Sequence, residues 1–244
     1  MTGVQTCALR SISGSAVFVG AILAMLFNIP SKIIGFVMAF GTGVLIGAAA
    51  YELLGEYVDK GEIISVSIGF LIGASVFTLL NSYISKRGAG ERKRSGNQGE
   101  GGISIFIGTV MDAIPESIMI GASLLTGKSV SWMLVVAIFL SNIPEGLSST
   151  TGLKKSGYPK WKIYVLWLAV IGISSLASFS GYYFLSETPE YVMAGIAAFA
   201  AGGIIAMISS TMMPEAFEDS GPSTGFITAI GLLLSLVLDR KSVV

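Results

Sequence analysis

The chain has 244 residues, of which 52% are hydrophobic and only 12% charged, and its fifteen basic and fifteen acidic side chains cancel. A typical soluble domain is about 25% charged, so this composition points to a membrane protein, and the zero formal charge gives no pull toward nucleic acid. There is no histidine, which removes the commonest general base and metal-binding nitrogen, and a single cysteine, Cys7, which excludes an internal disulfide or a thiolate cluster.

In chain order, the first thirteen residues, MTGVQTCALRSIS, read as a non-native, adaptor-derived tail, as do residues 239–244, DRKSVV. That leaves 14–238 as one membrane domain. A span needs about 20 mostly apolar residues. Eight are expected, at 14–29 (short), 31–55, 62–84, 102–126, 129–153, 160–185, 190–213 and 221–238. All are long, continuous and rich in Leu, Ile, Ala, Gly and Ser, so all are expected to be helices. The second and seventh carry FGTGVLIGAAA (40–50) and AGIAAFAAGG (194–203), small residues of the kind that let membrane helices pack closely.

Between the third and fourth spans lies the only long polar stretch, SKRGAGERKRSGNQGE (85–100), whose composition is that of a flexible loop. With that loop in the cytoplasm, Lys86, Arg87, Arg92, Lys93 and Arg94 fall inside together with Lys32, Lys154, Lys155, Lys160 and Lys162. Only Lys60 and Lys128 then fall outside. The positive-inside rule therefore puts both termini outside, in a plasma (inner) membrane. A cysteine introduced in 85–100 should resist an impermeant thiol reagent added to intact cells; ready labelling would reverse the orientation.

A faint internal repeat accompanies the spans. Phe40-x-x-Gly43 leads to Glu52 and Glu56, and Phe199-x-x-Gly202 leads at the same offsets to Thr211 and Glu215. The second and seventh helices thus look related. The expected architecture is all-α with eight transmembrane helices in a 3+2+3 arrangement, the outer triplets forming an inverted repeat around helices four and five. Such repeats around a central site are a carrier architecture.

The central pair holds the chemistry. MDAIPESIMIG (111–121) and LSNIPEGLSST (140–150) each set an Ile-Pro-Glu inside an apolar run. On a helix Asp112 and Glu116 share a face, as do Ser141 and Glu145, with Asn142 beside them. Pro115 and Pro144 have no N–H, so the carbonyls of Met111 and Leu140 lose their helical partners. In lipid those oxygens must be satisfied by protein, water or an ion. A charged group at this depth costs at least about 2.5–3.5 kcal/mol, and such groups usually mark an ion or proton path. The alternative is a pair of protonated carboxyls holding the bundle together by hydrogen bonds.

FGTGVLIGAAAYELLGEY (40–57), DAIPES (112–117) and SNIPEG (141–146) resemble helices two, four and five of the ZIP (Zrt/Irt-like) metal transporters. The likeness extends over most of Gly14–Leu238. It implies eight spans, a long third loop and a metal site on helices four and five. That family's leading histidines fall on Asp112 and Ser141, and its following asparagine falls on Ala113 in helix four and Asn142 in helix five. Glu116 and Glu145 keep the two glutamates, and Glu52 keeps the acid of helix two. The helix-six carboxylate falls on Ser178, and a further one near the end of helix seven falls on Thr211. The histidine-rich third loop is absent.

The resemblance therefore implies one metal site, of Asp112, Glu116, Ser141, Asn142 and Glu145 with Glu52 on helix two, and not a second, since Ala113 cannot be a ligand. Zinc favours nitrogen and sulfur, whereas carboxylate and carbonyl oxygen suit harder ions such as manganese. Zinc, manganese and iron stay open as substrates, and no tightly bound cofactor is expected. The expected partners are the divalent ion, the bilayer and, in a homodimer, a second copy of the chain. Two other classes remain: a ZIP-like protein that senses or binds metal without transport, and an intramembrane enzyme using paired acids. The second is disfavoured because Asp112 is the one aspartate deep in a span.

Overall fold

In this computed structural model the described residues are 3–84, 107–111, 113, 116, 117, 120, 132–185 and 188–242, and every regular element among them is helical. The loop at 85–100, Asp112, Pro115 and Lys128 lie outside the described residues. Among the described residues there are eight helices. α1 is Gly3–Leu26, and so begins at Gly3 rather than near residue 14. α2 is Ser31–Asp59, α3 is Ile63–Ile84, and α4 comprises the helical residues described between 107 and 120. α5 is Trp132–Lys155, α6 is Lys160–Leu185, α7 is Glu190–Ser220 and α8 is Ser223–Ser242.

Four of these are long and apolar enough to cross a membrane: Ser31–Asp59, Ile63–Tyr83, Lys160–Ser178 and Glu190–Ser220. Ser15–Leu26 and Ser223–Leu238 are shorter apolar helices. Large apolar side chains stand on the outside, including Ile64, Ile68, Leu71 and Leu79 of α3, Leu168 and Leu176 of α6, and Phe226 and Leu233 of α8. A soluble monomer rarely exposes so continuous an apolar surface. Exposed hydroxyls on these faces turn inward on their own helices. Ser67 donates to the Ile63 carbonyl at 2.7 Å, Thr78 to Ala74 at 2.7 Å and Ser180 to Leu176 at 2.8 Å. That back-bonding satisfies each donor within its own helix.

Two parts of the chain, 30–84 and 189–242, repeat the same devices at a near-constant offset. Pro30 and Pro189 hold extended backbone, with ψ of 137° and 149°, and launch α2 and α7. Each helix then passes from α to π geometry, α2 at Ala48–Gly55 and α7 at Ile208–Met212. Gly61 (φ 88°) and Gly221 (φ 67°) supply the positive-φ residue just past the ends of α2 and α7. At Gly61 the end is a Schellman motif: Gly61 N–H donates to the Val58 carbonyl and Glu62 N–H to that of Tyr57, both at 3.0 Å.

Packing repeats as well. A Cβ on Gly43 would run into the Thr228 carbonyl of α8, and one on Gly231 into the Phe40 carbonyl of α2. In the other unit, a Cβ on Gly202 would strike the Phe70 carbonyl of α3, and one on Gly73 the Phe199 carbonyl of α7. Phe40 with Gly43 and Phe199 with Gly202 are the motif pairs of the sequence repeat. Its physical content is thus a pair of bare helix faces: α2 packs on α8 and α7 packs on α3, backbone to backbone. Thr228 spans the first contact, donating to the Ala39 carbonyl at 3.0 Å.

α2 and α7 run antiparallel. Gly35 near the start of α2 lies against Ala216–Ser220 at the end of α7, and the π segment of α2 packs on Glu190–Met207. On the other side, α1 packs on α5 and α6. Gly20 abuts Ile143 and Leu147, and Gly146 abuts Val17. A smaller core there contains Val17, Ala21, Leu153, Ile163, Trp167 and Val170.

Polar contacts fix which connections share an end. Lys60 lies 2.7 Å from Glu190 and 3.4 Å from Glu56, so the α2–α3 and α6–α7 connections sit together. The hydrogen bond that Lys60 donates to Glu190, aided by Glu56, holds the Lys60 amine above its ordinary pKa. At the opposite end Lys154 donates to the Ala24 carbonyl at 2.9 Å, which gathers the α1–α2 and α5–α6 connections. These groupings match the alternation of sides expected of consecutive spans.

Candidate functional site

Four of the residues singled out in the sequence, Glu116, Ser141, Asn142 and Glu145, are buried. From Ser141 to Thr150 every residue of α5 but Ile143 is buried, Pro144 included. Pro144 leaves the Leu140 carbonyl without its helical donor. That carbonyl and the Ser141 backbone face Gly41 of α2, where a Cβ would come within 3.0 Å of Ser141 Cα. A bare residue on α2 thus allows the opened turn of α5 to lie against it. Ser141 itself donates to the Ile138 carbonyl at 3.0 Å.

Glu116 on α4 is 2% exposed and Glu145 on α5 is 5% exposed. At such burial a carboxylate must be protonated, paired or ligating. Both have interaction partners, as does Asn142. The helices that carry them meet at Thr109 and Ser149, whose hydroxyls are 3.4 Å apart. Val110 and Ala113 pack on the core that contains Leu153, whereas Met111 and Ile120 are buried in the one that contains Val135, Ile138 and Leu147. Glu116 on α4 and Ser141, Asn142 and Glu145 on the adjoining α5 are thus all buried among the described residues.

Glu52 stands apart from Ser141. It is half-buried in the π segment of α2, eleven residues beyond Gly41, or on the order of 15 Å along the helix from the approach to Ser141. Among the described residues no three of His, Cys, Asp and Glu converge as a ready metal cage. Asp112, the remaining expected ligand, is outside the described residues. Ser178 is fully buried on α6, and Thr211, also buried, donates to the Met207 carbonyl at 2.7 Å.

Two features went unread in the sequence. The first is the π geometry of α2 and α7. A π turn widens the helix and frees backbone groups, and such turns cluster at functional positions. In α7 the segment carries three successive back-bonds, Ser209 to Ile205, Ser210 to Ala206 and Thr211 to Met207, at 2.7–2.8 Å. The run Ser-Ser-Thr was its visible signal. The second is a buried hydroxyl line beyond Glu145. Ser148, Ser149 and Thr150 are all buried, and Thr150 accepts from the Trp167 indole N–H at 2.9 Å. The string SSTT at 148–151 was its signal.

No family model and no curated protein matches this chain.

Proposed function

We propose that the chain is an eight-span, 3+2+3 membrane carrier of divalent metal cations, and that the ion is held between α4 and α5. The observation that carries this reading is the burial, on two adjoining helices, of Glu116 and of Ser141, Asn142 and Glu145, with a proline-freed carbonyl beside Ser141. Two carboxylates, an amide, a hydroxyl and a carbonyl form an all-oxygen donor set. Asp112, on the sequence pattern, adds a third carboxylate. A divalent cation offsets the repulsion among these acids and repays part of their desolvation.

The resemblance to ZIP transporters supports the same residues. The matched π segments, opposed in direction across the α2–α7 contact, support an inverted repeat, which lets one central site be reached from either side. Glu52, at the widened turn of α2, then belongs to the ion's path and not to its central site. The reading involves no chemical step, and the chain is proposed to be a carrier and not an enzyme.

The test is uptake by vesicles holding the purified chain, using zinc, manganese and iron(II) in turn. A carrier moves many ions per chain. A sensor binds at most a fixed number and then stops, and that outcome would overturn transport while leaving the site.

Selectivity gives a sharper expectation. At Asp112 carboxylate oxygen stands where an imidazole stands in the motif this segment resembles. Asp112→His should shift the zinc-to-manganese uptake ratio toward zinc. Histidine titrates near pH 6.5 and binds metal only when neutral, so the variant should lose uptake more steeply than the parent between about pH 7 and 5.5. An unchanged zinc-to-manganese ratio would remove Asp112 from the site.

A further inference from the structure

We propose that the cavity where α1, α2 and α5 meet binds the phosphate of an anionic phospholipid. This rests only on the membrane part of the reading above and not on metal transport. The cavity has a volume of about 150 Å³, room for a phosphate and part of its headgroup, and is lined by Ala24, Phe27, Asn28, Ile34, Thr151 and Lys154 among others. Among the described residues no carboxylate lines it.

Two donors face this space. The Lys154 ammonium spends one of its three protons on the Ala24 carbonyl, leaving two for a ligand. Asn28 adds its amide N–H groups. Thr151 is not a donor here, because its hydroxyl already donates to the Leu147 carbonyl at 2.8 Å.

The surroundings fit a lipid better than a free ion. Leu26 and Phe27 are exposed beside the cavity, an apolar surface for an acyl chain. At the same end Lys160 and Lys162 are exposed, and Lys162 stands over the exposed Trp161 ring at 5.7 Å, an amphipathic pair suited to the headgroup level. Asp219, at this end, lies against Gly35, about 100° around α2 from the cavity-lining Ile34. Basic pockets between helices on one face of a membrane protein hold lipid headgroups in this way.

The experiment is native mass spectrometry of the full chain in detergent, titrated separately with phosphatidylglycerol, phosphatidylcholine and inorganic phosphate. The parent should retain one phosphatidylglycerol in preference to phosphatidylcholine. Lys154→Met should lower that retention about fivefold, the factor one near-surface lysine contributes. Lys154→Arg should preserve it, and Lys162→Met should change it little. Asn28→Ala, on an exposed connection where folding is not at stake, should also lower it. Equal retention of the two lipids, or parent-like retention in both Lys154→Met and Asn28→Ala, would overturn the proposal. So would displacement of the lipid by millimolar inorganic phosphate, which would make the site one for the free anion. Loss of the transport reading would leave each of these outcomes unaffected.

Discussion

Replacing Glu145 by glutamine should abolish divalent-cation uptake while the protein stays folded, and Glu116→Gln should do the same. Each change keeps the shape of a side chain that is at most 5% exposed, so packing is disturbed little. What is lost is a negative charge at the proposed centre. Indirect partners of a metal site typically cost 10–100-fold when removed, and a direct ligand should cost at least as much. The control is built in: two protonated carboxyls acting only as structural glue would be mimicked well by the amide, which also donates and accepts hydrogen bonds. Under that alternative the glutamine variants would keep the behaviour of the parent.

The second large effect concerns packing. Gly202→Ala and Gly43→Ala should each destabilise the protein by about 1–3 kcal/mol, the usual cost of overpacking. In both cases the new methyl meets a backbone carbonyl, of Phe70 or of Thr228, which cannot swing aside as a side chain would. Gly172→Ala on α6, where a Cβ would meet nothing within 4 Å, should be neutral or stabilising by up to about 1 kcal/mol through helix propensity. Thermal unfolding in detergent separates the three. Similar losses at positions 43 and 202 with none at 172 would support equivalent α2–α8 and α7–α3 contacts. Three equal results would remove the close-packing account.

Much of this architecture was legible because apolar length is a coarse, robust signal. Among the described residues each expected span overlaps helical residues, yet the ends differ. α7 runs to Ser220, beyond the expected 213, because Pro214 sits in the first turn of its final α segment, where no N–H partner is lost. α2 runs through Tyr57 to Asp59, since its C-terminal acids cost little where the helix approaches its exposed end and Lys60. The repeat was readable only as Phe-x-x-Gly. Its larger part lies in glycine contacts between distant segments and in π turns, which depend on backbone geometry that composition does not encode. At the site, the burial of Glu116, Ser141, Asn142 and Glu145 was foreseen from the matched Ile-Pro-Glu runs. The separation of Glu52 was not, because a motif carries no information about how far along a neighbouring helix its residue will stand.

The central claim is that α4 and α5 together hold one divalent ion. Equilibrium dialysis of the purified chain against manganese, read by metal analysis, tests it most directly. The parent should bind one ion per chain at saturation, and the double variant Glu116→Gln with Glu145→Gln should bind none while keeping the helical circular dichroism of the parent. Equal binding by the two proteins, or no saturable binding by the parent, would contradict it.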